Sequence, residues 1–227
     1  MKRLILAGGG NAEQSRLVDE FFASRLPRKK FLFLPQAIAP HLWSFEQAYA
    51  WIKKPRAFQD ASITLCEDLD GLSAKTLSAF DAVYVMGGNT FTLLHELRAH
   101  EALPELRRFA DQGGLFYGIS AGAILLGKNI GTAVLGAEAD ENQAGLTDLS
   151  GMDMVAPFNV HCHYQAAYDS QLFDFCAKSK IPLMAIPETS GIYVDGNTAT
   201  VLGPDDVFIF MGDRKRNYAE GQVFNLA

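Results

Sequence analysis

Short apolar runs that stop at glycine, separated by stretches of helical spacing, constrain this chain more than any other feature. Leu4-Ile5-Leu6-Ala7 ends at Gly8-Gly9-Gly10, Ala82 to Met86 ends at Gly87-Gly88, and Leu115-Phe116-Tyr117 runs into Gly118. A continuous apolar run of this length is a strand covered on both faces, the habit of parallel sheets. Between the runs, Leu17, Val18, Phe21 and Phe22 recur at helical spacing. Asn11 and Gln14 before them make a capping-box pattern, which predicts a helix opening there. Phe31 to Leu34 and the weaker Ile63 to Leu65 add strands, and Leu42 to Ile52 adds a helix. Alternating strand and helix predicts an α/β fold, a mostly parallel sheet flanked by helices on both faces. In such sheets ligands gather outside the carboxyl ends of the strands. The three glycine-ended strands therefore aim their loops at one edge.

The second half is less regular. Residues 131–157 read as loops, short strands and the border of a site. A strand at Phe158 to His161, a helix from Tyr168 to Ala177 and a strand at Leu183 to Ile186 follow. A β-rich tail holds Ile192 to Val194, Thr198 to Leu202 and Val207 to Phe210. No repeat, linker or low-complexity segment appears, so 1–227 reads as a single α/β domain.

Composition narrows the partners. With 20 Lys plus Arg against 26 Asp plus Glu, the formal charge is −6, which argues against nucleic acid or anionic membrane as partner. No apolar stretch approaches a membrane span or a signal-peptide core. Cys66, Cys162 and Cys176 form neither a C-x-x-C pair nor an even framework, as expected of a reducing cytoplasm. The charge is also unevenly placed: residues 129–177 hold seven acidic side chains and no Lys or Arg.

Chemistry points first to Gly118-Ile119-Ser120-Ala121-Gly122, set between an apolar strand and an Ala/Ile/Leu helix. A G-x-S-x-G turn in that context projects the serine Oγ from the sheet edge, with following N–H groups placed to stabilise an oxyanion. A serine needs a base. His95 and His100 stand at i,i+5, one residue too far apart for a zinc-protease helix, and His41 flanks a helix. His161 and His163 share one face at a strand end; no carboxylate is spaced to make the pair a metal site. Candidates for the acid that orients the base are Glu138, Asp140 and Glu141, with Glu188 farther on. Spacing alone does not select among them. Gly8-Gly9-Gly10 is not a dinucleotide fingerprint, because the last glycine of that motif would fall on Glu13; the three glycines instead let the first loop pass close to Gly87-Gly88.

Tyr84-Val-Met-Gly-Gly-Asn-Thr-Phe91, Gly118-Ile-Ser-Ala-Gly-Ala123 and His163-Tyr164 together resemble the signature segments of the peptidase E family, over about Met1 to Phe210. These are serine peptidases, typified by aspartyl dipeptidase, on the class I glutamine amidotransferase-like fold. The resemblance implies Ser120 as nucleophile, His163 as base and Asp140 as acid, with Glu141 and Glu138 behind it. It also implies an oxyanion hole from the N–H groups of Gly88 and Ala121, with Asn89 bordering the substrate. No cofactor and no metal follow from it; the implied partner is a small peptide, and a homodimer is left open. The chain departs from aspartyl dipeptidases at one point: the arginine expected soon after the catalytic histidine is missing, and Gln165 to Gln171 is neutral to acidic. The expectation is a peptidase not selective for N-terminal aspartate. Two other readings stay open, an ester-directed serine hydrolase and a non-catalytic binding protein of the same fold.

Overall fold

A computed structural model describes residues 1–38 and 43–226. His41 and Leu42, assigned from sequence to a helix or its flank, lie outside the described residues. The larger sheet has eight strands. Five are parallel neighbours, β1 (Arg3–Ala7), β2 (Lys30–Leu34), β3 (Ser62–Leu65), β4 (Ala82–Val85) and β5 (Leu115–Ile119). A second sheet of four strands contains β6 (Asn159–His161), β7 (Leu183–Ala185), β10 (Val207–Met211) and β11 (Arg214–Tyr218). The tail strands β8 (Gly191–Asp195), β9 (Thr198–Leu202) and β12 (Val223–Asn225) extend the first sheet antiparallel from β1. Its order is therefore β12-β9-β8-β1-β5-β4-β2-β3, with β1 and β5 in the middle.

Period-two alternation divides the core into two layers, because successive side chains on a strand point to opposite faces. Leu4, Leu6, Leu32, Leu34, Val83, Val85 and Phe116 face one layer; Ile5, Phe31, Phe33, Tyr84 and Tyr117 face the other. Helices α4 (Thr90–Ala99), α5 (Ala102–Asp111) and α6 (Ala121–Leu125) put Phe91, Leu94, Leu106 and Ile124 into the first layer. Helices α1 (Arg16–Ser24) and α2 (Phe45–Ile52) put Phe22 and Ile52 into the second. The remaining helices are α3 (Ala74–Leu77), beside α5, and α7 (Asp169–Ser179), beside β10.

Three sequence expectations are adjusted. Strands β11 and β12 were not expected: Arg214-Lys-Arg-Asn-Tyr218 has no apolar face, being mostly exposed. Helix α1 opens at Arg16, not after Asn11. The capping-box bonds do form, Asn11 Oδ1 accepting from Gln14 N–H at 3.2 Å and Gln14 Oε1 from Asn11 N–H at 2.9 Å, but they close a turn ahead of the helix. Where short strands were expected in 131–157, a 3-10 segment, Ile130–Val134, opens the stretch, and no strand forms within it among the described residues.

A carboxyl group is buried beside the second layer. Asp19 accepts hydrogen bonds from Tyr117 Oη at 2.7 Å and Ser15 Oγ at 2.8 Å beneath the stacked Tyr84 and Tyr117 rings. Loss of solvent outweighs those bonds and raises its pKa from 3.8 to about 6. The folded state therefore holds more protons than the unfolded one between these values, so stability falls as pH rises through that window. Asp19→Asn keeps an acceptor for Tyr117 and removes the charge. It is expected to stabilise the protein at pH 7 by on the order of 3 kcal/mol, at about 1.4 kcal/mol per pKa unit. Paired thermal melts should show the advantage shrinking as pH falls toward 4.

Candidate active site

The elbow at Ser120 is built by close approach. Ser120 has φ +52° and ψ −115°, a conformation that costs about 1–3 kcal/mol away from glycine. Its flanks must be glycine. A Cβ on Gly118 would lie 2.3 Å from the Gly122 carbonyl oxygen, and one on Gly122 would lie 2.4 Å from that of Val85. The bend is held by Ser120 N–H donating to Ala7 O at 3.0 Å and by Ser120 O accepting from Ala123 and Ile124 N–H as α6 begins.

His163 arrives from the far end of β6, also with positive φ, +54°. Its N–H donates to Gly8 O at 2.9 Å, while Gly8 N–H donates to Ser190 O at 3.0 Å. Gly8, at the end of β1, thus anchors both His163, through its carbonyl, and the turn that carries Glu188, through its N–H. Gly9 lies flat against the imidazole: a Cβ there would come within 2.2 Å of His163 Cε1. The glycine run packs on His163 and Glu188, and that close packing, more than an approach to Gly87-Gly88, explains its composition.

The structure brings Ser120 Oγ to 2.8 Å from His163 Nε2 and the Glu188 carboxylate to 3.0 Å from His163 Nδ1. Glu138 also reaches Nδ1, at 3.3 Å. The two acids differ in how they are held. Glu188 is one-third exposed, and its second oxygen accepts from Gln14 Nε2 at 2.5 Å, whereas the Glu138 side chain is 65% exposed. The turn made by Asn11 and Gln14 is therefore a clamp on the Glu188 carboxylate.

Asp140, expected on the imidazole, is elsewhere. Its carboxylate accepts from Thr90 N–H at 2.8 Å, at the start of α4, where a negative group meets the positive end of the helix. Burial pushes its pKa upward against that bond. Next to it, Glu141 O accepts from Asn89 Nδ2 at 2.9 Å, and Asn89 Oδ1 caps α4 through Thr92 N–H at 2.9 Å. Asp140, Glu141 and Asn89 thus fasten residues 140–141 to the Gly87-Gly88 turn. The family resemblance favoured Asp140, from the loop after the Ser120 helix; Glu188 comes into place only through the exit from β7.

These groups open on a cavity of about 320 Å³ bordered by Gly88, Ser120, Glu138, His161, His163 and Tyr168, among others. No Lys or Arg borders it among the described residues. His161 is 3% exposed, and burial lowers its pKa to about 4. Cys162 is buried against Ser120 O, and burial raises its thiol pKa far above the usual range, so it stays protonated. His163, Glu138 and Glu188 place their donor atoms within 4.8 Å of one another, as a cation would require. Binding there would take Nδ1 out of its hydrogen bond to Glu188.

The model of peptidase family S51 matches residues 4–202. A Drosophila melanogaster protein named "Probable alpha-aspartyl dipeptidase" is 28% identical over 226 residues, covering 92% of this chain and 87% of that one. A Peptidase E of Shewanella sp. (strain W3-18-1) is 28% identical over 147 residues, 60% of this chain and 59% of its own length. In three dimensions the chain superposes on the crystal structure of a peptidase from an acI-B1 Actinobacterium with TM-score 0.69 and 18% identity, covering 99% of this chain and 97% of that one. That likeness shows the fold, a mostly parallel sheet with antiparallel strands added by the C-terminal part. The chain belongs to peptidase family S51 and is a peptidase.

Proposed function

We propose that this peptidase works through Ser120, His163 and Glu188, hydrolysing short peptides by way of an acyl-enzyme. The observation that carries the reading is the continuous line from Ser120 Oγ through both imidazole nitrogens to Glu188, at 2.8 Å and 3.0 Å, with Ser120 and His163 on the border of the cavity. Ser120 Oγ attacks the scissile carbonyl while His163 Nε2 takes its proton. Glu188 holds the Nδ1–H tautomer and stabilises the imidazolium. The N–H groups of Gly88 and Ala121 receive the oxyanion, with Gly88 held in place by the Asp140 and Asn89 contacts at α4. His163 then gives its proton to the leaving amine, and water, activated by the same imidazole, releases the acyl group. The acidic loop and the absence of a bordering cation make the cavity hospitable to a free amino terminus. Three buried, unpaired cysteines suit a reducing compartment such as the cytoplasm.

The same feature sets specificity. A carboxylate side chain entering this cavity would lose water without gaining a cation, with Glu138 and Asp140 already on its border. Selectivity for N-terminal aspartate is therefore not expected, unlike what the name of the Drosophila relative implies for that protein. In a dipeptide panel, Asp-Leu should be cleaved at least about tenfold more slowly than Leu-Leu by kcat/KM. Faster cleavage of Asp-Leu would overturn this specificity, and no cleavage of any peptide would overturn the peptidase mechanism.

A further inference from the structure

His161 has no role in the mechanism above, yet it borders the same cavity as Ser120 and His163. It closes β6 and is 3% exposed; the Thr132 backbone lies against its ring as a weak partner, but neither ring nitrogen makes a well-formed hydrogen bond among the described residues. Native structures rarely leave both nitrogens of a buried imidazole unpaired, because each unmade bond is costly. The ring meets Tyr168 edge to face, centroids 6.2 Å apart, and Tyr168 in turn packs on Gly136, so this side of the cavity is closed by neutral groups.

We propose that this region is a side-chain subsite of the peptidase, in which His161 reads a neutral hydrogen-bonding group, an amide or hydroxyl, on the substrate residue that supplies the scissile carbonyl. A neutral imidazole offers one donor and one acceptor, the complement of a carboxamide or a hydroxyl. Charge excludes the alternatives. A carboxylate finds no cation among the cavity's described residues. A lysine or arginine side chain reaching His161 would leave the more exposed Glu138 for a buried, neutral partner. An aliphatic side chain fits the cavity but leaves the ring nitrogens unpaired. Substrates with N-terminal Gln, Asn, Ser or Thr are therefore favoured over isosteric apolar ones by about tenfold, the scale of one hydrogen bond made to an otherwise unpaired buried group.

The inference rests on the Ser120 peptidase reading for its kinetic arm alone. In the other arm, Ser120→Ala protein with ¹⁵N-labelled histidine is titrated with Gln-Leu and with Leu-Leu. The His161 ring nitrogens, assigned by their loss in Ser120→Ala/His161→Leu, should move with Gln-Leu and stay nearly still with Leu-Leu. Equal movement, no movement, or no binding overturns the subsite, whether or not any peptide is cleaved. In the kinetic arm, the Gln-Leu to Leu-Leu ratio of kcat/KM should fall from about ten to about one in His161→Leu. It should be partly restored in His161→Asn, which keeps a donor and an acceptor. An unchanged ratio in a folded His161→Leu protein overturns the inference while leaving the peptidase reading standing.

Discussion

Ser120→Ala should lose peptide hydrolysis by about ten-thousandfold or more, because the step it removes is covalent and no neighbouring group can replace Oγ. Such a loss corresponds to about 5.5 kcal/mol of transition-state stabilisation. Stability should change little: the backbone at position 120 keeps its positive φ, and the flanking contacts of Gly118 and Gly122 do not involve Oγ. Two measurements check this together. A fluorophosphonate probe should label the wild type at Ser120 and leave the variant unlabelled, and the melting temperatures of the two should agree within a few degrees. Labelling without peptide turnover would favour an ester-directed hydrolase, and absence of labelling in the wild type would favour a binding protein of this fold.

The second large effect concerns the acid. Glu188→Gln places an amide against His163 Nδ1, where its NH₂ favours the wrong imidazole tautomer. A drop in kcat of about a thousandfold is expected, somewhat less than for replacement of a lone triad carboxylate, because Glu138 also lies 3.3 Å from Nδ1. Glu138→Gln alone should cost less than about tenfold, since an exposed carboxylate loses more of its influence to solvent. In Asp140→Asn the side chain still offers an oxygen to Thr90 N–H, so activity should stay within a few fold of wild type. Parallel kcat measurements on the three variants decide the assignment: equal losses in Glu188→Gln and Asp140→Asn would remove Glu188 from the role given to it here.

The contrast between Glu188 and Asp140 shows how far the sequence could be read. Ser120 stood out because its setting is local: a strand, a bend lined by glycine and a helix lie within ten residues of it. His163 stood out by its strand-end position and its aromatic neighbour, Tyr164. Glu188 has no local signature. Its place depends on the Gly8 N–H, which joins the turn after β7 to the end of β1, and on Gln14 from a turn ahead of α1. Such contacts link residues far apart in the chain and leave no periodic trace. The central strands were visible for the opposite reason, since burial on both faces forces a continuous apolar run. Strand β11 was hidden because it lies mostly exposed and can carry Arg214, Lys215 and Arg216. His161 stood out only as half of an H-x-H pair; that neither ring nitrogen makes a well-formed hydrogen bond among the described residues is a property of packing.

The double anchorage at Gly8 bears on when activity can arise. Its carbonyl waits for a segment 155 residues downstream and its N–H for one 182 residues downstream. During synthesis the segment holding Ser120 emerges before those holding His163 and Glu188, and pairing across such separations carries a loop-closure cost that is met only when the distant segments join. Under the proposed mechanism, activity would then require folding of nearly the whole chain, and a partly made or partly unfolded copy would carry an unactivated Ser120.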